Sequence, residues 1–74
     1  MNYEFVQSSK EILGGIPVFS GTRVPIQNLL DYLEAGDSID LFLEDFPTVK
    51  KDQAIQALEF AKVKIMEFVH ENIA

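Results

Sequence analysis

Three sets of residues in this chain have types and spacings that chemistry could use. Gly14, Gly15 and Gly21, with Thr22 and Arg23 behind them, make a glycine-rich stretch of the kind that can wrap a phosphate. A phosphate loop, however, runs G-x-x-x-x-G-K-[ST] between a strand and a helix, its lysine resting on the phosphates. Here Gly15 and Gly21 have the wrong spacing and no lysine follows. A dinucleotide fingerprint fails as well, because no strand–helix–strand unit of about 30 residues comes after it. These glycines therefore read as turn residues. The second set, the carboxylates with His70, assembles no catalytic group. One histidine near a terminus, without any cysteine, builds neither a nucleophile–base pair nor a zinc site. No enzyme, metal or cofactor is expected.

The third set is Lys50, Lys51, Gln53 and Gln56. Lysines contact phosphates as point charges, and glutamines can bond the edge of adenine, so this spacing suits the reading end of a DNA-binding helix. Arg23 is either a structural clip, bonding several carbonyls or pairing with a carboxylate such as Asp31 or Glu34, or a further contact to an anion or phosphate. The overall charge of −6 runs against DNA. It is also uneven, since residues 1–47 hold Lys10 and Arg23 against eight carboxylates while residues 48–74 balance. DNA contact would have to be local and reinforced by symmetry or a partner.

The elements that position these residues follow from periodicity and punctuation. Seventy-four residues make one domain, 1–74, with a β-element over 1–24 and a helical part over 25–74. Tyr3, Phe5 and Gln7 alternate with Glu4 and Val6 as a strand would. Ile12-Leu13 and Ile16 to Phe19, separated by Gly14-Gly15, predict a hairpin with a type I′ turn. Ser20-Gly21 begins a second turn, Thr22 to Val24 a third short strand, and Pro17 makes its strand an edge or leaves that position unpaired. Pro25 suits the first turn of a helix whose stripe is Ile26, Leu29, Leu30 and Leu33, ended by Gly36. Ser38 caps a second helix with the stripe Ile39, Phe42, Leu43 and Phe46, and Pro47 stops it. A third helix is predicted from about Lys50 to Asn72, with Ala54, Ile55, Leu58, Ala61, Ile65, Phe68 and Val69 facing inward. The expected fold is mainly α: short N-terminal strands, then a three-helix, helix-turn-helix-like (homeodomain-like) bundle.

The end of the third helix is too apolar for one small core. Phe60, Val63, Met66, Phe68, Val69 and Ile73 circle more than one face, which marks a dimer or partner interface. His70 falls on the same surface. A domain of this size buries only about 60% of its unfolded surface and commonly needs a staple. With cysteine absent, oligomerisation is the staple left, and a homodimer is expected. No apolar run stands behind a basic N-terminal region and none is long enough to span a bilayer, so neither a signal peptide nor membrane association is expected, and the predicted location is the cytoplasm.

Gly14-Gly15, Pro17 and Gly21-Thr22-Arg23, followed by Val24-Pro25-Ile26, resemble the signature GGxPxxxGTRxPV of the family called domain of unknown function 433. Leu29, Leu33, Gly36, Ser38-Ile39, Phe46-Pro47 and Ala57-Leu58 with Ala61 extend the resemblance over about residues 10–62. It implies a short β-element joined to a helix-turn-helix-like domain. It also implies a VapB-type antitoxin role: a dimeric, DNA-binding autorepressor of its own operator, paired with a toxin of the PIN-nuclease kind. The runner-up is an interaction module that binds no DNA. Where the family often caps the third helix with Thr or Ser, this chain has Lys50, so Thr48 or water would serve the free N–H groups. Residues 63–74 lie outside the signature.

Overall fold

A computed structural model describes residues 4–8 and 10–73, with side chains as far as residue 70. Tyr3, named above in the first strand, lies outside the described residues, as does the side chain of Ile73. Strand β1 (Val6–Gln7) pairs antiparallel with β2 (Val18–Phe19), Val6 opposite Phe19 and Gln7 opposite Val18. Three helices follow: α1 (Ile26–Glu34), α2 (Ile39–Asp45) and α3 (Lys51–Ile73). The mainly helical class with a short N-terminal sheet matches the sequence reading.

The pairing inside the β-element differs from that reading. Phe19 and Val18 pair with residues 6–7, not with Ile12-Leu13. Gly14-Gly15 form no two-residue hairpin; they end a single 3-10 turn, Leu13–Gly15, closed by the Gly15 N–H donating to the Ile12 carbonyl at 3.0 Å. Leu13, Gly14 and Gly15 all have positive φ (49°, 71° and 98°). That run reverses the chain within three residues, and the Ser8 hydroxyl donating to the Gly15 carbonyl ties it back toward β1. Thr22 to Val24 form no third strand. Instead Val18 bridges Pro25, and the Phe19 N–H reaches the Val24 carbonyl at 2.9 Å.

The helix ends obey the punctuation. Pro25 sits one residue before α1, at its N-cap, with extended backbone. Gly36, at φ 88°, closes α1: its N–H meets the Leu33 carbonyl at 3.0 Å and the Asp37 N–H meets the Tyr32 carbonyl at 2.9 Å. This is the paired Schellman closure, which needs a left-handed residue at that position. The Ser38 hydroxyl accepts from the Leu41 N–H at 3.0 Å and caps α2. Phe46 to Val49 then turn on a 3.0 Å bond from the Val49 N–H to the Phe46 carbonyl.

The core lies where these pieces meet. Phe19, Leu29, Phe42 and Ala54 are fully buried, with Phe5, Val49 and Ala57 nearly so. Rings dominate it: Phe42 lies 6.0 Å from Phe19 and 5.0 Å from Phe46, with Tyr32 edge-on to Phe42 at 5.4 Å. Full burial of such a side chain is worth about 1.5–3 kcal/mol, so the aromatic cluster is the main source of stability. The Tyr32 hydroxyl donates to Asp45 at 2.5 Å, linking α1 to α2. That bond to Asp45, above all, raises the Tyr32 pKa beyond the usual 10.0, with desolvation and the charges of Asp45 and Asp37 adding to it.

Helix α3 meets this core through a different face from the one its large residues suggest. Ala54 and Ala57 are buried, Leu58 and Ala61 half-buried, while Ile55 is exposed. Small side chains let α3 lie close against the ring cluster; a stripe centred on Ile55 and Ile65 would hold it away.

Candidate functional site

The glycine stretch serves as scaffold. Between Phe19 and Thr22 the chain turns with Gly21 at φ 77°, a backbone state that glycine adopts without penalty. Thr22 is buried and closes the turn twice, donating from Oγ1 to the Phe19 carbonyl at 2.8 Å and accepting from the Val24 N–H at 3.0 Å. Arg23 is exposed and forms no ion pair with Asp31 or Glu34. The structural-clip reading fails: the clip of this loop is Thr22.

Gln53 joins this turn to α3. Its Oε1 accepts from the Lys50 N–H at 2.9 Å, and its Nε2 donates to the Ser20 carbonyl at 3.0 Å. The Lys50 carbonyl accepts from the N–H groups of Gln53 and Ala54, so Lys50 occupies the N-cap position of α3 and Gln53 the third helical one. A glutamine there reaching back to the N-cap N–H is half of a capping box. Gln53 thus serves the N–H of Lys50 itself, and not the first-turn N–H groups that Thr48 or water was expected to serve. With both ends of its amide engaged within the chain, Gln53 positions its neighbours. Lys50, Lys51 and Gln56 remain exposed. The clasp holds Ser20, three residues before the exposed Arg23, at the start of α3. Asp52 is exposed next to Lys51.

The opposite part of α3 is apolar. An open groove of about 610 Å³ runs between the β-element, the start of α1 and the middle of α3. Phe5, Ile16, Pro17, Ile26, Leu30 and Phe60 form most of its wall, and Gln27 and Lys64 are its polar side chains. Phe60, expected on the outer interface, instead packs on the core 6.1 Å from Phe5 and floors the groove. Past the groove, Val63, Ile65, Met66, Phe68 and Val69 are exposed, Met66 by 61% and Ile65 by 58%. Val63, Met66, Phe68 and Val69 are thus where an interface would need them, and His70 is exposed beside them. Ile65, Phe68 and Val69, expected on the inward stripe, are exposed. Lys64 lies over the Phe60 ring at 5.4 Å and pairs with Glu67 at 3.3 Å, an exposed contact worth little.

Sequence reasoning did not single out Ile16 or Leu30 as groove residues. Ile26 and Leu30 sit one turn apart on α1, rotated from the buried Leu29, and that second i, i+4 pair is the signal of a second apolar face. Among the described residues no group of three or more His, Asp or Glu side chains is placed to hold a metal, and no helix is long and apolar enough to cross a membrane.

Comparison with known proteins bears on this arrangement. The model of the family described as "Protein of unknown function (DUF433)" matches residues 6–61. The uncharacterized protein y4eO of Sinorhizobium fredii (strain NBRC 101917 / NGR234) is 39% identical over 59 residues. That match takes in 80% of this chain and 27% of y4eO, so the chain spans about a quarter of that protein's length. The crystal structure of a DUF433 member protein from Anabaena variabilis ATCC 29413 has the same fold, with a TM-score of 0.71 at 19% identity over 92% of this chain and 67% of that one.

Proposed function

This chain belongs to the DUF433 family, and from that premise we propose that it is the antitoxin of a type II toxin–antitoxin pair, a dimeric repressor of its own operator that neutralises a PIN-type nuclease in the cytoplasm. The observation that carries this reading is the division of α3 into two ends. Its N-terminal end exposes Lys50 and Lys51, and the Gln53 clasp fixes against it the Ser20 turn that leads to Arg23. Its C-terminal end offers apolar surface to protein. One helix then faces nucleic acid and protein at different places.

In this reading Lys50, Lys51 and Arg23 contact phosphates and Gln56 meets base edges, while Gln53 holds the set in place. α2, the turn at Phe46–Val49 and α3 supply the order of a helix-turn-helix, in which the N-terminal end of the second helix enters the major groove. The test is a gel shift with the chain's own promoter fragment at two salt concentrations, alone and with the neighbouring gene product. Sequence-selective binding that weakens with salt is expected. The Lys50→Ala/Lys51→Ala double variant should weaken binding to all sequences and reduce the salt slope of the bound dimer by about 4, one for each phosphate left without its lysine across the two copies. Unchanged binding by that variant overturns the DNA assignment.

One observation favours a second reading, an interaction module without DNA contact. The charge of −6 and the exposed Asp52 among the lysines suit a surface that masks a basic protein. A tight complex with the partner and no DNA shift under either salt condition would select it.

A further inference from the structure

The first turns of α3 have one side in the core and the opposite side in solvent. Ala54 and Ala57 are buried, and Leu58 and Ala61 half-buried. With a period of about 3.6 residues, Asp52, Ile55, Gln56 and Glu59 then fall on the outer side. All four are exposed. In a helix-turn-helix the outer side of these turns is the one laid against base edges.

The charges on that side are of one sign. No lysine or arginine occurs between Lys51 and Lys62, while Asp52 and Glu59 each place a carboxylate there. Among the described residues the ion pair of α3 is Lys64 with Glu67, so neither of these carboxylates is neutralised by a lysine. Asp52 lies in the first turn, where the helix dipole favours an acid. Glu59 lies about two turns further on, where the dipole gives it nothing.

A carboxylate facing DNA is repelled by every phosphate, so it weakens binding to all sequences alike. What it adds is discrimination, because it only accepts hydrogen bonds. Guanine and thymine present acceptors in the major groove, and repel it. Adenine has an amino donor, but the N7 lone pair beside that donor repels a carboxylate too. Cytosine presents the N4 amino group alone, and fits. Gln56 matches adenine instead, donating to N7 and accepting from N6. Four residues separate Asp52 from Gln56, about 6 Å along the helix axis, close to two base-pair steps of roughly 3.4 Å. Resting on the DNA-contacting reading above, we propose that Asp52 is a specificity-determining residue that selects cytosine in each operator half-site, with adenine under Gln56 about two base pairs away.

The test is selection by the full chain from a pool of random-sequence duplexes, followed by titration of the selected sites at fixed salt. The wild type should retain cytosine at one position of each half-site and reject guanine there by about 10-fold. Asp52→Asn keeps the size of the side chain, removes its charge and supplies a donor. That variant should bind unselected duplexes at least as tightly as the wild type and change the preferred base from cytosine to adenine, which an amide matches. A carboxylate that served the helix dipole alone would give the opposite result: weaker binding to every sequence and an unchanged preference. Gln56→Ala should relax the adenine position and leave the cytosine in place. DNA binding with one and the same preference in the wild type and Asp52→Asn overturns the assignment of Asp52 and leaves the DNA reading standing. A wild type that binds no duplex overturns both, and a tight complex with the neighbouring gene product then selects the interaction module.

Discussion

The first and second halves of α3 hold nearly the same share of apolar residues and use them in opposite ways. From Lys51 to Ala61 the small ones, Ala54 and Ala57, are buried and let the helix close on Phe19 and Phe42. From Lys62 to His70 the large ones stay exposed. A fold of this size needs its bulk in the rings of the β-element, α1 and α2, so α3 contributes contact distance rather than volume. Side-chain size, in such a helix, does not report which face is inward.

Three substitutions can break or sharpen that contrast. The largest effect is expected at Phe42, fully buried among Phe19, Tyr32 and Phe46. Phe42→Ala should cost about 3–5 kcal/mol, a loss comparable to much of the stability of a small domain, read as a collapsed urea midpoint or no cooperative transition at all. Thr22→Val keeps shape but removes the donor to Phe19 and the acceptor for Val24. A loss of about 1–3 kcal/mol in the same titration is expected, with the α3 dichroism preserved. Met66→Ser, on the exposed half, should change the stability of the dilute monomer by less than about 0.5 kcal/mol. If Met66→Ser and Phe42→Ala cost the same, the two halves of α3 are not distinct and the core extends to the helix end.

Much of the architecture was legible because its punctuation is local. Gly36, Ser38 and Pro47 act through the backbone of their own neighbours, and the structure places the helix boundaries where they direct. Strand pairing was not legible, because it is decided across the chain. Gly14-Gly15 have the positive φ that a hairpin turn requires, but Leu13 adopts it too, so the segment closes as a 3-10 turn and β2 pairs with residues 6–7. Of the inner face expected of α3, Ala54, Leu58 and Ala61 turn inward, whereas Ile55, Ile65, Phe68 and Val69 are exposed, and Phe60, expected outside, packs on the core. Within the candidate site, Lys50, Lys51 and Gln56 are exposed as the spacing suggested. The role of Gln53 was hidden, since its partner, Ser20, lies 33 residues away.

The Gln53 amide has a dynamic consequence. Opening the turn at Ser20 frees the side chain that also covers the Lys50 amide, so the two ends of the clasp loosen together. The exchange of the Lys50 amide proton with solvent therefore reports the breathing of a loop distant in sequence, and a ligand that steadies one would slow exchange at the other.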